Sequence, residues 1–164
     1  MNSKICCFTG HRQIPEELVV RLPSRLDSLL ERLIAEGYRE FRCGGAQGFD
    51  TIAALKVLEK KKIYGESIRL CLYLPCKDQT RGWSESAKRA YSMVLERADE
   101  VHYTSEIYTR SCMHARNRAL VDGSDLCVAL CLSSHGGTAY TVSYAKSHSL
   151  PVIMLSESKN PDFS

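Results

Sequence analysis

The sequence predicts an α/β fold: one doubly wound, mostly parallel sheet with helices on both faces. Three observations predict it. Short apolar runs of strand length alternate with longer runs whose apolar residues recur at helical spacing. Residues 126–132 (LCVALCL) are apolar at nearly every position, as a central strand covered on both faces must be. Glycine-rich turns follow the strand runs, at the carboxyl ends where such sheets bind ligands.

The elements follow in order. Residues 5–9 form a first strand ending at Gly10, and Leu22, Leu26, Leu29, Leu30 and Leu33 then recur at helical spacing until Gly37 stops the helix. Residues 38–43 are a second strand. The helix after it carries Ile52, Leu55 and Leu58 on one face and ends in Lys60-Lys61-Lys62, cations that complement a helix carboxyl end. Residues 68–74 form a third strand closed by Pro75. Ser84 is placed to cap a helix that buries Ala87, Tyr91, Val94 and Ala98. A short strand at 100–103, a polar loop and a helix over 113–121 lead to the central strand. A helix over 139–148 and a strand over 152–155 complete one domain, residues 1–155, with 156–164 expected as a loose tail.

Composition narrows the function. A chain of 164 residues suits one domain, burying ~70% of its unfolded surface. The net charge of +3, with acids and bases interleaved, is too weak to imply a nucleic-acid surface, and a nucleic-acid partner is not expected. Eight cysteines include no C-x-x-C pair; Cys6, Cys7, Cys71, Cys127 and Cys131 fall in strand runs as small hydrophobes, expected to be reduced thiols. The histidines, His11, His102, His114, His135 and His148, have no metal-ligand spacing, so no metal is expected. No apolar run approaches the ~20 residues a bilayer span needs. No apolar leader precedes the first strand, so no membrane and a cytoplasmic location are expected.

The chemistry concentrates in the turns. Cys43-Gly44-Gly45-Ala46-Gln47-Gly48-Phe49-Asp50 and Ser134-His135-Gly136-Gly137-Thr138 each join a strand run to a helix run, bringing bare backbone N–H groups to a helix's positive end, where anions bind. The first is neither a G-x-G-x-x-G fingerprint nor a P-loop. Asp50 is placed either to accept from a ribose hydroxyl or to cap its helix, and Thr138 either to meet phosphate or to cap its own. Thr9-Gly10-His11-Arg12 closes the first strand in a similar way. Arg12 and Arg116 offer forks of donors that suit phosphate. His11, lacking a carboxylate at telling spacing, is read as a positioning or purely structural residue rather than an acid or base. Trp83 and Tyr91 are read as sealing the fold or edging a pocket.

These segments occur in one order: Phe8 to Arg12, Gly44 to Asp50, Gln79 with Trp83, Arg116-Asn117-Arg118-x-Leu120-Val121-Asp122, and Gly136 to Thr141. The series resembles the YpsA/YoqJ-like family of unknown function. That family sits in the SLOG superfamily of Rossmann-like domains, with the DNA-processing protein DprA and the LOG cytokinin-activating enzymes. The resemblance implies a nucleotide or nucleotide-derived, ADP-ribose-like ligand held by Gly10, Arg12, the Gly44 to Asp50 turn, Arg116, Asn117 and Gly136 to Thr138. It also implies a homodimer. LOG enzymes carry P-G-G-x-G-T-x-E-E, whose acidic pair serves phosphoribohydrolase chemistry. Here Tyr140 and Thr141 stand where the two glutamates belong, and neither can hold charge beside a developing oxocarbenium ion.

The expected function is therefore binding or sensing of such a ligand at the carboxyl ends of the parallel strands, without LOG-type hydrolysis and without a required cofactor. One alternative is an enzyme cleaving an N-glycosidic or phosphate bond through Asp50, His11 or a bound water. The other is a DprA-like single-stranded DNA accessory protein, disfavoured by the balanced charge.

Overall fold

In the computed structural model, which describes residues 3–155, β1 (Lys4–Gly10), α1 (Glu16–Ala35), β2 (Tyr38–Cys43) and α2 (Phe49–Tyr64) open the chain. They are followed by β3 (Arg69–Cys76), α3 (Glu85–Arg97), β4 (Glu100–Ser105), α4 (Cys112–Val121), β5 (Leu126–Leu130), α5 (Gly137–Ser147) and β6 (Val152–Met154). The tail expected at 156–164 lies outside the described residues. The strands form one sheet in the order β4-β3-β2-β1-β5-β6, and every pairing is parallel. The fold is the doubly wound α/β arrangement that the alternation predicts.

Side chains along each strand point alternately to the two faces. Cys6, Phe8, Phe41, Leu70, Leu72, Val128 and Leu130 meet the apolar stripes of α1, α2 and α3 in the larger core. Phe8 lies at its centre, 6.2 Å from Phe41 and 6.3 Å from Phe49 between ring centroids. Cys7, Cys127 and Ala129 face the other way, against Leu120 and Val121 of α4 and Val142 and Ala145 of α5. Strand order reverses at β1, which lies between β2 and β5, so the segments after β1 and β5 diverge and leave a crevice.

Three local differences from the predicted pattern have physical reasons. α1 begins at Glu16, nearly two turns before the leucine stripe, because Glu16 and Glu17 suit a helix's first turn and Pro15 precedes it. Pro23 lies inside α1 and cannot donate to Val19, which is on the solvent side (40% exposed), where water can serve the carbonyl. β5 stops at Leu130, so Cys131 leaves the strand and is half-buried, its Sγ donating to the Ser133 carbonyl at 3.2 Å. The lysine run does more than complement a dipole: Lys60 is buried against Asp27 at 2.8 Å and Glu31 at 2.7 Å, and Lys61 pairs with Asp99. No helix among the described residues is long and apolar enough to cross a membrane.

Candidate functional site

The two glycine turns, alike in sequence, do different things. The first is packed shut. Gly48 has φ +77°, and a Cβ there would stand 2.2 Å from the Arg12 carbonyl oxygen, so the turn lies directly beneath the segment leaving β1. The amide that opens α2, Phe49 N–H, donates to the His11 carbonyl at 3.1 Å. Asp50 does not cap the helix end; its Oδ2 accepts the Ala46 N–H at 3.2 Å, and Thr51 Oγ1 donates to the Ala46 carbonyl at 2.9 Å. Gly44 is wedged so closely that a Cβ would meet the Arg116 guanidinium at 2.6 Å and the Asp50 carboxylate at 2.9 Å.

The second turn is open. α5 has no side-chain cap at Gly136, and Gly136 and Gly137 are exposed. Thr138 is buried without capping the helix, and Thr141 Oγ1 donates back to the Gly137 carbonyl at 2.8 Å. The first amides of α5 therefore present a free positive helix end.

Arg116 and Asn117, at the centre of α4, join the two turns. Arg116 donates through Nη1 to the Gly44 carbonyl and through Nε to Asn117 Oδ1 at 2.8 Å. Asn117 Nδ2 in turn reaches the Gly137 carbonyl at 3.5 Å. Both side chains are buried, so much of the Arg116 fork is engaged in holding the first turn. Two other guanidinium groups are uncommitted: among the described residues, the exposed Arg12 and Arg110 have no hydrogen-bond or ion-pair partner.

These parts surround a cavity of about 390 Å³ at the carboxyl end of β1. Of the residues singled out in the sequence, Thr9, Gly10, His11, Arg12, Ala46, Asp50, Arg116, Asn117, Gly137 and Thr138 line it. Gly44, Gly45, Gln47, Gly48 and Gly136 do not, although Gly44 packs on Arg116 and Asp50 and Gly48 on the Arg12 carbonyl, all lining residues. Tyr108, Arg110, Met113 and His114 join the lining from the β4–α4 loop and the start of α4, with no glycine signature to announce them. Burial of Asp50 raises its carboxyl to about 6, although Arg116, the Ala46 amide and Arg12 all favour its charged form. Among the described residues, no three His, Cys, Asp or Glu side chains converge as a metal would require.

A second cavity of about 340 Å³ adjoins the first, sharing Arg12, Ala46, Tyr108 and Met113 with it. Its other walls come from the end of β3 and the loop that follows, including Asp78, Gln79 and Trp83. Trp83 meets Tyr91 edge-on, at 5.5 Å and 87°. Asp78 Oδ1 and Gln79 Oε1 are buried without a hydrogen-bond partner among the described residues. Each such atom costs about 1–3 kcal/mol in lost hydration. Burial, with the Asp78 carboxylate beside it, pushes the Cys76 thiol up to about 11, which leaves it unreactive.

Tyr140 and Thr141 keep carboxylates away from the start of α5. Tyr140 accepts a hydrogen bond from Arg118 at 2.9 Å and lies against His114, 4.1 Å between ring centroids, while Thr141 is fully buried.

Known structures share this architecture. DNA processing protein A (DprA) from Streptococcus pneumoniae superposes with a TM-score of 0.68 at 15% identity, over 99% of this chain and 53% of that one. DprA from Helicobacter pylori, studied for its single-stranded DNA binding mode, gives 0.68 at 18% identity, over 96% of this chain and 67% of that one. The chain thus spans about half of the pneumococcal protein, and at these identities the likeness is one of fold. In sequence it is similar to YoqJ, an uncharacterized SPbeta prophage-derived protein of Bacillus subtilis (strain 168), with 29% identity over 143 residues, 78% of this chain and 82% of that protein. A family model matches residues 7–155, from the middle of β1 to just past β6, and by that match the chain belongs to the YspA SLOG family.

Proposed function

We propose that the chain binds a nucleotide or nucleotide-derived ligand of the ADP-ribose kind, with its phosphate in the cavity between β1 and α5. The observation that carries this reading is the pairing of the uncapped α5 terminus with two guanidinium groups, Arg12 and Arg110, that have no hydrogen-bond or ion-pair partner among the described residues. A helix N-terminus with arginines around it favours an anion through both the dipole and charge-assisted hydrogen bonds. Tyr140 and Thr141 support binding without LOG-type hydrolysis. A thermal-shift panel of AMP, ADP-ribose, NAD and cyclic nucleotides tests the reading. A ligand at 100 times its Kd adds about 2.7 kcal/mol of stability. A flat response to the whole panel would sink it.

Asp50 supports a second reading, an enzyme that cleaves a nucleotide's N-glycosidic bond. A buried carboxyl lifted to about 6 beside a cavity is suited to general acid or base work near neutral pH. Incubation with nucleotides followed by chromatography decides between the two. Release of a free base that disappears in Asp50→Asn supports the enzyme, and intact nucleotide removes it. The Helicobacter pylori neighbour brings single-stranded DNA forward as another ligand, which a gel shift at moderate salt detects or dismisses.

A further inference from the structure

We propose that the second cavity is a nucleobase subsite that selects bases bearing an exocyclic amine. The inference rests on the nucleotide reading above and adds to it the identity of the base. The cavity adjoins the anion cavity, with Arg12, Ala46, Tyr108 and Met113 lining both, a placement that suits one molecule with a phosphate at one end and a planar ring at the other. Its walls suit a ring. Trp83, Tyr108 and Met113 supply aromatic and thioether surface of the kind on which bases stack.

The selectivity comes from two oxygens. Asp78 and Gln79 are neighbours in the loop after β3 and both line this cavity; among the described residues, Asp78 Oδ1 and Gln79 Oε1 are buried without a hydrogen-bond partner. Gln79 Oε1 sits over the first turn, 3.5 Å from where a Cβ on Gly45 would stand. The loop backbone is fixed by its own turns, with Arg81 N–H donating to the Asp78 carbonyl and Trp83 N–H to the Thr80 carbonyl, each within 3.2 Å.

A carboxylate oxygen and an amide oxygen are both hydrogen-bond acceptors, so donors on a guest suit this pair. The amino groups of adenine, guanine and cytosine provide them. Hypoxanthine and uracil put a carbonyl oxygen where adenine and cytosine carry the amine, and acceptor would then face acceptor. Inosine monophosphate against AMP is the cleanest comparison, because that substituent changes on one skeleton.

The test is calorimetric titration of the full chain with AMP, IMP, CMP, UMP and ribose 5-phosphate. The expected result is AMP binding at least ten-fold more tightly than IMP, and CMP more tightly than UMP. Asp78→Asn, which introduces a donor, should collapse or invert that preference while ribose 5-phosphate affinity stays unchanged. Trp83→Leu, with its folding checked by thermal unfolding, should weaken AMP but not ribose 5-phosphate. If ribose 5-phosphate and all four nucleotides bind equally, the base subsite is wrong and the anion site stands. A preference for AMP that survives Asp78→Asn undiminished also overturns it. If neither nucleotide nor ribose 5-phosphate binds, the nucleotide reading falls and takes the subsite with it.

Discussion

His11 Nε2 accepts the backbone N–H of Leu132 at 2.8 Å, tying the segment after β1 to the segment after β5 across the point where the sheet reverses. An imidazole nitrogen that accepts an amide proton is unprotonated, so the ring's own proton sits on Nδ1. The contact makes His11 a brace for the cavity's rim and engages the nitrogen that a general base at this site would use.

His11→Ala should cost about 0.5–1.5 kcal/mol, the net value of one hydrogen bond, because the exposed Leu132 can turn to water. The specific sign is local. Hydrogen exchange at the Leu132 amide should accelerate while amides within β5 keep their protection. Unchanged exchange at Leu132 would show that the bond does not hold the rim.

The arginines separate into two kinds. Arg116 is buried and bonded to the Gly44 carbonyl and to Asn117, with Asp50 against the same glycine. Arg116→Met leaves the Gly44 carbonyl and Asn117 Oδ1 without their donor, and should cost roughly 2–5 kcal/mol in urea unfolding, about 1–3 kcal/mol for each buried acceptor left unsatisfied. Arg12→Ala should stay within about 0.5 kcal/mol of the parent, as unpartnered surface changes do. It should nevertheless weaken ADP-ribose or sulfate binding measurably. Equal stability losses in the two variants would contradict this division.

Gly48 supports a prediction about the first turn. Its φ of +77° disfavours any side chain, and the Arg12 carbonyl leaves a Cβ no room. Gly48→Ala should therefore lose roughly 3 kcal/mol or more, since backbone strain and a rigid clash act together. Gly137→Ala is the control. Its φ is ordinary and a Cβ there would come no closer than 3.6 Å, to Asn117, so circular dichroism melts should barely move.

Much of this architecture was legible because it is local. Strand runs at 38–43 and 126–130, the stop at Gly37 and the cap at Ser84, whose side chain accepts the Ala87 N–H at 3.2 Å, are written in adjacent residues. The functional difference between the turns was not, since it depends on distant partners. Nothing near Gly44 announces that Arg116, 72 residues away, will close on its carbonyl. Tyr108 and Arg110 reach the cavity only because α4 carries the chain from the sheet's edge strand, β4, to β5 near its centre. A polar loop gives no local sign of that path.

Asp50 gives the protein an inverted pH response. Burial raises its folded-state carboxyl from 3.8 to about 6, outweighing Arg116, the Ala46 amide and Arg12. The folded chain therefore holds this proton when the unfolded chain has released it. The resulting stability is fully present below the unfolded value and is lost as pH rises through about 6. At ~1.4 kcal/mol per pKa unit, the contribution is on the order of 3 kcal/mol between pH 4 and 7. Carboxylates with lowered values, such as Glu31 and Glu100, slope the other way, so the measurement is a difference. Urea unfolding of parent and Asp50→Asn across this range should show the variant gaining on the parent as pH rises. Sulfate, which does not titrate here, should also bind the parent more tightly at pH 5.5 than at pH 7.5, because an anion in the same cavity favours the neutral carboxyl. Parallel stability curves for the two proteins would mean that Asp50 is already ionised at little cost, and the case for its acid or base chemistry would go with it.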